Sequence, residues 1–429
     1  MATVAFYTLG CKVNRDETDS LAQLFKQQGY RVVDFNEKAS VYVINTCTVT
    51  QAGSRKSRQM IRRAVRTAPD GLVVVTGCYS QTASEEIAKI PGVDLIIGND
   101  KKHKIVDIIE QGSSKNKILV SSRQKLNEFY NLPIPDERKR KRATLKIQEG
   151  CDNFCSYCIV PYARGPIRSK PIDEIISDIK KLIDEGFKEV VLTGIHLGSY
   201  GRDQEDDVSL ADVVHRLGKI ENLNRVRLSS VEPTDFDTEL LEAIKVSPNL
   251  CNHFHIPLQN GSDEILKKMG RKYDSAYFLE TVSKIREIVK DVAITTDVMV
   301  GFPSETEENF KQNLQFIKKV GFSDIHVFKY SMREGTKASK MSRQITGEIK
   351  DRRAKELAQQ ANLLKTQYNK KFLGSKLEVL FEQYSDGNMI GHSSNYVKVY
   401  CPGEKKYIGH VRNVLINNLT KDGVAGNIE

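Results

Sequence analysis

Three cysteines stand close together in the stretch CDNFCSYC, at Cys151, Cys155 and Cys158. Thiolates hold iron or zinc, and four of them close a structural zinc site or a four-cysteine iron–sulfur cluster. This stretch supplies three, and no Cys or His pair at zinc-finger spacing follows it. The spacing therefore indicates a metal centre with one position open for another ligand. There are two alternatives: a zinc site, and a chance group of structural cysteines. The second would be unusual in a loop, because free cysteine is mostly buried.

Three more cysteines stand alone in the first part of the chain. Cys11, Cys47 and Cys78 each end an apolar run, in TLGCKVN, INTCTVT and TGCYSQ. In an open α/β sheet, ligands bind beyond the carboxyl ends of the strands, where residues distant in sequence meet. We therefore expect these thiols to converge on a second metal cluster. The alternative is three separate buried thiols.

The elements that must position these cysteines fall into three regions of the 429-residue chain. Residues 1–112 alternate short apolar runs with helical stretches, which predicts an α/β domain with an open sheet. A polar segment, 113–142, is interpreted as a linker. Residues 143–368 repeat six strand–helix units and predict a partial (βα)6 barrel, with the CDNFCSYC motif at the face where barrel enzymes keep their active sites. Residues 369–429 have short alternating strands and turn signals, which predict a small all-β domain.

Composition limits the class of protein and its partners. The net charge of +10 and the isoelectric point near 9.0 favour a polyanionic partner, with nucleic acid as the first choice. No apolar run reaches the length of about 18 to 20 residues that a membrane span needs, and the start of the chain does not resemble a signal peptide. We therefore expect a cytoplasmic protein without a membrane partner. In that compartment the eight cysteines are metal ligands or buried thiols rather than a disulfide framework.

Three sets of residues are candidates for RNA binding. The strongest is an arginine stripe at helical spacing in SRKSRQMIRRAVR, which has a solvated charged face as its alternative: Arg55, Arg58, Arg62 and Arg66. The basic run Arg138 to Arg142 is either a phosphate contact or a flexible linker. Tyr384, Tyr396, Tyr400 and Tyr407 are either stacking surfaces for bases or core residues. His253 and His255 are expected to make local hydrogen bonds and have no catalytic role.

The CX3CX2C spacing with the aromatic Tyr157 before the last cysteine resembles the signature of radical S-adenosylmethionine enzymes. The resemblance implies that Cys151, Cys155 and Cys158 hold a [4Fe–4S] cluster, whose open iron binds S-adenosylmethionine. The reduced cluster would then split this cofactor into methionine and a 5′-deoxyadenosyl radical. The same resemblance proposes cofactor contacts from Tyr157 and from polar residues after the barrel strands, each of which taken alone suits a loop or cap: Thr193, Gly194, Glu232, Gln259 and Ser262.

Two three-cysteine clusters ahead of a small β-domain resemble the methylthiotransferase family over essentially the whole chain. The resemblance implies a second [4Fe–4S] cluster on Cys11, Cys47 and Cys78 that delivers a methylated sulfur, and a C-terminal RNA-binding domain of the TRAM type. The forms TLGCKVN and INTCTVT resemble the branch that modifies threonylcarbamoyladenosine at C2, at adenosine 37 in the anticodon stem-loop of tRNA. Two alternatives stay open: the same chemistry on another tRNA adenosine or a ribosomal protein, and a non-catalytic iron–sulfur RNA-binding protein. The sequence does not indicate the sulfur donor or the electron donor.

Overall fold

The structure is a computed structural model that describes residues 1–112, 117–135 and 141–429. Most of the predicted basic run, residues 138–140, lies outside the described residues. None of the helices that the structure describes has the length and apolar character needed to cross a bilayer.

The first domain is an open α/β sheet, as predicted. Its elements are β1 (Thr3–Thr8), α1 (Lys12–Gln27), β2 (Arg31–Val33), β3 (Val41–Thr46), α2 (Gln51–Thr67), β4 (Leu72–Gly77), α3 (Cys78–Thr82), α4 (Ser84–Ala88), β5 (Leu95–Ile97), α5 (Ile105–Glu110) and β6 (Lys117–Leu119). The six strands are parallel in the order β2-β1-β3-β4-β5-β6. Strands such as β3 are buried along their whole length because helices cover both faces of a parallel sheet.

The interpretation of residues 113–142 as a linker is wrong for part of this segment. Lys117–Leu119 form β6, which pairs in parallel with β5 and extends the first sheet. Further along, the side chain of Leu126 is buried, and Arg123 pairs with Asp152 of the barrel. A three-residue edge strand with two exposed positions has no buried apolar run, so hydrophobic pattern does not reveal it.

The central domain is the predicted partial barrel. Its elements are β7 (Ala143–Lys146), β8 (Gln148–Glu149), α6 (Val160–Arg164), β9 (Arg168–Ser169), α7 (Ile172–Asp184), β10 (Glu189–Thr193), α8 (Leu210–Gly218), β11 (Arg225–Leu228), α9 (Thr238–Val246), β12 (His253–His255), α10 (Asp263–Met269), α11 (Ser275–Ile288), β13 (Ala293–Val300), α12 (Glu307–Val320), β14 (Asp324–Lys329) and α13 (Gly347–Lys370). Two parallel sheets, β7-β10-β11 and β12-β13-β14, are joined by the bridges Val226↔Leu250 and Ser230↔His255. The apolar side chains of these strands pack against the helices on the outer face of the sheets. Since successive side chains of a strand point to opposite faces, the polar side chains between them point to the inner face of the barrel.

The C-terminal domain is a small closed β-barrel, as predicted. Its strands are β15 (Lys376–Ser385), β16 (Asn388–Ser393), β17 (Lys398–Pro402), β18 (Val411–Leu419) and β19 (Val424–Ile428), in the order β15-β16-β17-β19-β18. The domain docks on the central barrel through Arg225 and Arg227, which donate hydrogen bonds to main-chain oxygens of the β-domain. Tyr396 adopts a left-handed conformation (φ +62°) and stacks on His253, with 4.5 Å between ring centroids. Tyr396 is therefore part of the domain contact and not of a strand.

Candidate metal centres

Cys11, Cys47 and Cys78 lie at the carboxyl edge of the first sheet. Cys11 is the N-cap of α1, Cys47 directly follows β3, and Cys78 directly follows β4. The strands that precede them, β1, β3 and β4, are neighbours in the sheet. Burial, together with Cys11, raises the pKa of Cys47, and burial, together with Cys11 and Cys47, raises the pKa of Cys78 to about 11. The three thiols therefore share one site, as the sequence predicts, while their role as metal ligands stays a prediction.

Two glycines allow the strand ends to approach each other. At Gly10, with φ +106°, an added Cβ would lie 3.1 Å from Cβ of Cys47. At Gly77, with φ +99°, it would lie 2.5 Å from the main-chain oxygen of Thr46. A side chain at either position would be strained and would separate the cysteines.

Cys151, Cys155 and Cys158 lie in the loop between β8 and α6. The N–H of Cys151 donates to the oxygen of Gly165 at 3.0 Å, and the N–H of Cys158 donates to Cys155 at 2.9 Å. Burial, with the neighbouring thiolates, raises the pKa of Cys158 to about 12. At neutral pH this thiol is therefore protonated, and a metal that binds it would have to displace the proton. Like the first triad, these cysteines form no disulfide.

N–H donors point at sulfur atoms of the second triad. Nδ1 of His196 lies 3.9 Å from Sγ of Cys151, and its Nε2 lies 2.8 Å from Asp235. Burial opposes the charge on His196, but the hydrogen bonds with Asp235 and Cys151 raise its pKa to about 9. Nη1 of Arg271 donates to Sγ of Cys155 at 3.3 Å. Donors to thiolate sulfur fit an iron–sulfur cluster because they offset its negative charge and tune its potential.

Sequence reasoning missed both donors. His196 lies three residues after Thr193, a predicted cofactor contact, so its place after a barrel strand was the available signal. Arg271 follows α10, and nothing in the local sequence connects it to a cysteine more than a hundred residues earlier.

The two triads belong to different domains that contact each other through buried charges. Nε of the fully buried Arg164, at the end of α6, donates to Sγ of Cys78 at 3.2 Å. Its Nη1 donates to Glu17 of the first domain at 2.6 Å and to Glu149 of the barrel at 3.1 Å. The carboxyl edge of the first sheet therefore covers the carboxyl end of the barrel, and the two triads share one region.

A second contact joins the loops beyond the strands. Nη2 of Arg333, after β14, donates to Oγ1 of Thr48 at 2.7 Å and to Oγ of Ser54 at 3.1 Å. Thr48 directly follows Cys47. The barrel therefore supports the loop that presents this cysteine.

Four of the predicted cofactor residues lie beside the second triad or at the end of β10. Glu232 pairs with Arg271, and the hydroxyl of Tyr157 accepts a hydrogen bond from Arg271 at 3.4 Å. Thr193 ends β10 and is buried. Gly194 is the next residue, and it is closely packed: an added Cβ would lie 2.8 Å from Oε1 of Gln148. Glu232 and Tyr157 are thus positioned by the same guanidinium that contacts Cys155.

The two remaining predictions fare differently. Gln259 has a left-handed main chain (φ +66°) that pairs with β13, and no hydrogen bond of its side chain to a described residue is seen. The hydroxyl of Ser262 is buried, donates to Gln312 at 2.9 Å and accepts from Asn309 at 3.1 Å. Ser262 therefore holds α10 against α12, and its contact with the cofactor stays a prediction.

The arginine stripe lies on α2, and three of its members are open to solvent: Arg55, Arg62 and Arg66. The fourth, Arg58, donates to Glu86 at 2.8 Å and to the hydroxyl of Tyr79 at 2.7 Å. The contact of Arg58 with RNA stays a prediction, and Glu86 and Tyr79 are partners within the protein that would compete with it.

The inner face of the barrel also holds a cluster that the sequence did not reveal. Ligand atoms of His255, Asp297 and His326 all lie within 4.8 Å of one another. His255 also contacts Oγ1 of Thr295 at 3.0 Å, which fits the local hydrogen bonding expected for it. Asp297 lies 3.3 Å from each histidine and so partners both rings.

These features define a class of protein: an α/β chain with two groups of three free cysteines, one at the edge of an open sheet and one in a partial barrel, that are linked across a domain contact. Comparison with known proteins gives the family. Residues 3–98 match the family described as "Uncharacterized protein family UPF0004", and residues 145–317 match the Radical SAM superfamily.

Relatives match the chain over nearly its full length. It is 44% identical, over 97% of its length and 94% of the relative, to the threonylcarbamoyladenosine tRNA methylthiotransferase MtaB of Bacillus subtilis. A protein of the same name from Aquifex aeolicus is 40% identical, with 96% and 100% covered. The tRNA-2-methylthio-N(6)-dimethylallyladenosine synthase of Clostridium botulinum is 36% identical, with 95% and 93% covered.

A solved structure agrees on the fold. The radical S-adenosylmethionine methyltransferase TsrM of Kitasatospora setae, with cobalamin and a [4Fe–4S] cluster bound, has a TM-score of 0.61 at 15% identity and covers 79% of this chain and 77% of its own. The chain belongs to the radical S-adenosylmethionine methylthiotransferase family. With the family come [4Fe–4S] clusters and S-adenosylmethionine, the cofactors expected from the sequence.

Proposed function

We propose that this enzyme transfers a methylthio group to C2 of N6-threonylcarbamoyladenosine in the anticodon stem-loop of tRNA. The observation that carries the proposal is the pairing of two thiol triads across one domain contact, with Arg164 bound to Cys78. The relatives named for this reaction support the substrate because they match nearly the whole chain.

The division of work between the triads follows from their places in the fold. Cys151, Cys155 and Cys158 would hold the cluster that binds S-adenosylmethionine, with Glu232, Thr193 and Gly194 beside the cofactor. Cys11, Cys47 and Cys78 would hold the second cluster. When bound, these groups supply a substrate radical and the methylated sulfur that it takes up.

The chain itself provides alignment. Arg164 joins the segments that carry the two triads, Arg333 joins the loop after β14 to Thr48, and the contact between α3 and α6 keeps the triad segments adjacent. A base held in this region would be within reach of both centres. The reacting groups would then be held in position and would not have to meet by diffusion. Arg271 fixes Glu232 and Tyr157 around Cys155.

The tRNA would bind over the first domain. Arg55, Arg62 and Arg66 present an exposed cationic face on α2, the helix that starts four residues after Cys47. Such side chains neutralise phosphates without reading sequence. Since tRNA is the proposed substrate, we propose that the enzyme works in the cytoplasm.

The test compares modified nucleosides of tRNA from cells with and without the gene, by mass spectrometry. We expect the methylthio derivative of threonylcarbamoyladenosine to disappear with the gene and to return on complementation. Loss of the dimethylallyl derivative instead would move the enzyme to the other branch. Formation of 5′-deoxyadenosine by the purified, reduced enzyme without oxygen excludes a non-catalytic RNA-binding protein.

A further inference from the structure

A cleft opens where the three domains meet. It has a volume of about 380 Å³. The first domain contributes Lys12 and Arg15, the segment before β7 contributes Lys141 and Arg142, the barrel contributes Arg227, and the β-domain contributes Tyr396. The aromatic ring of Tyr396 lies under two of these arginines, with Arg227 at 4.8 Å and Arg142 at 5.4 Å from its centroid. The cleft is therefore a built feature of the whole chain and belongs to no single domain.

Three of the charged side chains that line this cleft are already paired: Arg142, Arg227 and Glu382. Arg227 donates to the buried Glu189 at 2.7 Å, and Arg142 pairs with Glu382 at 2.8 Å. These two carboxylates therefore have partners. Across the inner face of the barrel, Asp297 is likewise shared by His255 and His326.

Lys12 and Arg15 are different. They are three positions apart at the start of α1, so they face the same direction, and both are exposed. Neither forms an ion pair with a residue in the described parts of the chain. The N-terminus of α1 adds its own partial positive charge to this corner of the cleft. This corner of the cleft is therefore positively charged and suited to an anion.

We propose that Lys12 and Arg15 bind the carboxylate of the threonylcarbamoyl group on the substrate adenosine. The inference rests on the proposed function and names the residues that select this substrate. The threonylcarbamoyl group ends in a carboxylate with a neighbouring hydroxyl, whereas a dimethylallyl group is apolar and uncharged. The adjacent ammonium of Lys12 and guanidinium of Arg15 can bind the carboxylate of a threonylcarbamoyl group. A dimethylallyl group would leave both cations without a partner.

The position of Lys12 links recognition to chemistry. It directly follows Cys11, the N-cap of α1 and a proposed ligand of the first cluster. A substituent anchored at Lys12 therefore holds its adenine beside the centre that would deliver sulfur. Anchoring at one end of the substrate in this way keeps the reacting carbon in place at the other.

The test uses three synthetic anticodon stem-loop RNAs that differ only at the target adenosine. One carries threonylcarbamoyl, one carries its uncharged carboxamide analogue, and one carries dimethylallyl. The dissociation constant and the yield of methylthio product are measured for the reconstituted enzyme and for the variants Lys12→Gln and Arg15→Gln. Lys89→Gln, an exposed lysine of the same domain that does not line the cleft, is the matched control.

We expect the unaltered enzyme to bind the acid more tightly than the carboxamide by about tenfold or more, the usual size of a hydrogen bond to a charged group. In Lys12→Gln and Arg15→Gln the ratio of the two dissociation constants should fall toward one, because only binding of the acid RNA becomes weaker. Lys89→Gln should keep it. Iron content checks that the first triad is intact, and if Lys12→Gln loses iron, the preference measured for Arg15→Gln decides.

Two results would overturn the inference while leaving the proposed function in place. One is an unchanged preference for the acid in both variants. The other is an equal loss of affinity for all three RNAs, which would make Lys12 and Arg15 phosphate contacts. Methylthio product from the dimethylallyl RNA and none from the threonylcarbamoyl RNA would contradict the proposed function itself.

Discussion

Nε of Arg164 lies 3.2 Å from Sγ of Cys78, a residue of another domain that is 86 positions away in sequence. Burial alone would lower the pKa of Arg164, but Cys78, Glu149 and Glu17 hold it well above its ordinary value. The guanidinium therefore stays charged inside the protein. It joins the first domain, the barrel and one thiol triad in a single contact.

Replacing Arg164 by Met should lower the free energy of unfolding by about 3–5 kcal/mol, because Glu17 and Glu149 would then lose a buried partner. Arg164→Lys should cost less, since it keeps the charge but not the fork that reaches several groups. Denaturant unfolding of the variants measures both. Arg123→Gln, which breaks the half-exposed pair with Asp152, is the control and should change stability by less than about 1 kcal/mol. If Arg164→Met proved as mild as this control, the contact would not hold the domains together.

The docking of the β-domain should depend on pH through Glu189. Burial would raise the pKa of this carboxyl, but Arg227, Arg142 and Arg225 lower it to about 2. A folded-state pKa below the unfolded value of about 4.3 stabilises the fold above that value, and the stabilisation is lost as pH falls toward 2. The stability difference between the unaltered protein and Glu189→Gln should therefore shrink by about 3 kcal/mol between pH 5 and pH 2. A difference that stays constant over this range would show that Glu189 is not held ionised by these arginines.

The exposed and bound members of the arginine stripe should behave differently. Changing Arg55 and Arg62 to Gln should weaken tRNA binding and reduce the slope of log affinity against log salt by roughly one unit for each phosphate that is no longer neutralised. Arg58→Gln is the matched control on the same helix face, and it should leave the slope unchanged because Glu86 and Tyr79 already hold Arg58. Equal slopes for the unaltered protein and all variants would show that the arginine stripe is a solvated charged face that does not contact tRNA.

Much of the architecture could be predicted because the signals are local. Apolar runs mark the parallel strands, and strand ends place Cys11, Cys47 and Cys78 at one edge of a sheet. Both triads are visible as residue types at defined places. The three-domain order follows from where the period of the apolar pattern changes.

The parts that could not be predicted depend on pairs far apart in sequence. Ser262 is bound by Asn309 and Gln312, 47 and 50 positions away, and Arg58 is bound by Glu86, 28 positions away. No periodicity records such pairs, so the sequence assigns each of these residues by its type alone. The same holds for Arg271, whose hydrogen bond to Cys155 exists only in the folded chain.

The second triad can be tested by iron content. Cys155→Ala should abolish cleavage of S-adenosylmethionine and remove about half of the iron, since one of two similar cysteine-ligated clusters would be absent. The first triad lies in another domain and should still bind its share. Iron analysis and the yield of 5′-deoxyadenosine measure the two effects. Full iron together with normal 5′-deoxyadenosine would contradict the assignment of Cys155.

The central claim is that the two triads do different jobs, and Cys47→Ala tests it most directly. This variant keeps Cys151, Cys155 and Cys158, so the purified protein should still form 5′-deoxyadenosine under reducing conditions without oxygen. It should transfer no methylthio group to threonylcarbamoyl-modified tRNA, because the triad proposed to deliver the sulfur is broken. Circular dichroism checks that the first domain, whose buried sheet does not include Cys47, remains folded. Normal methylthio transfer by the folded variant would contradict the two-centre account.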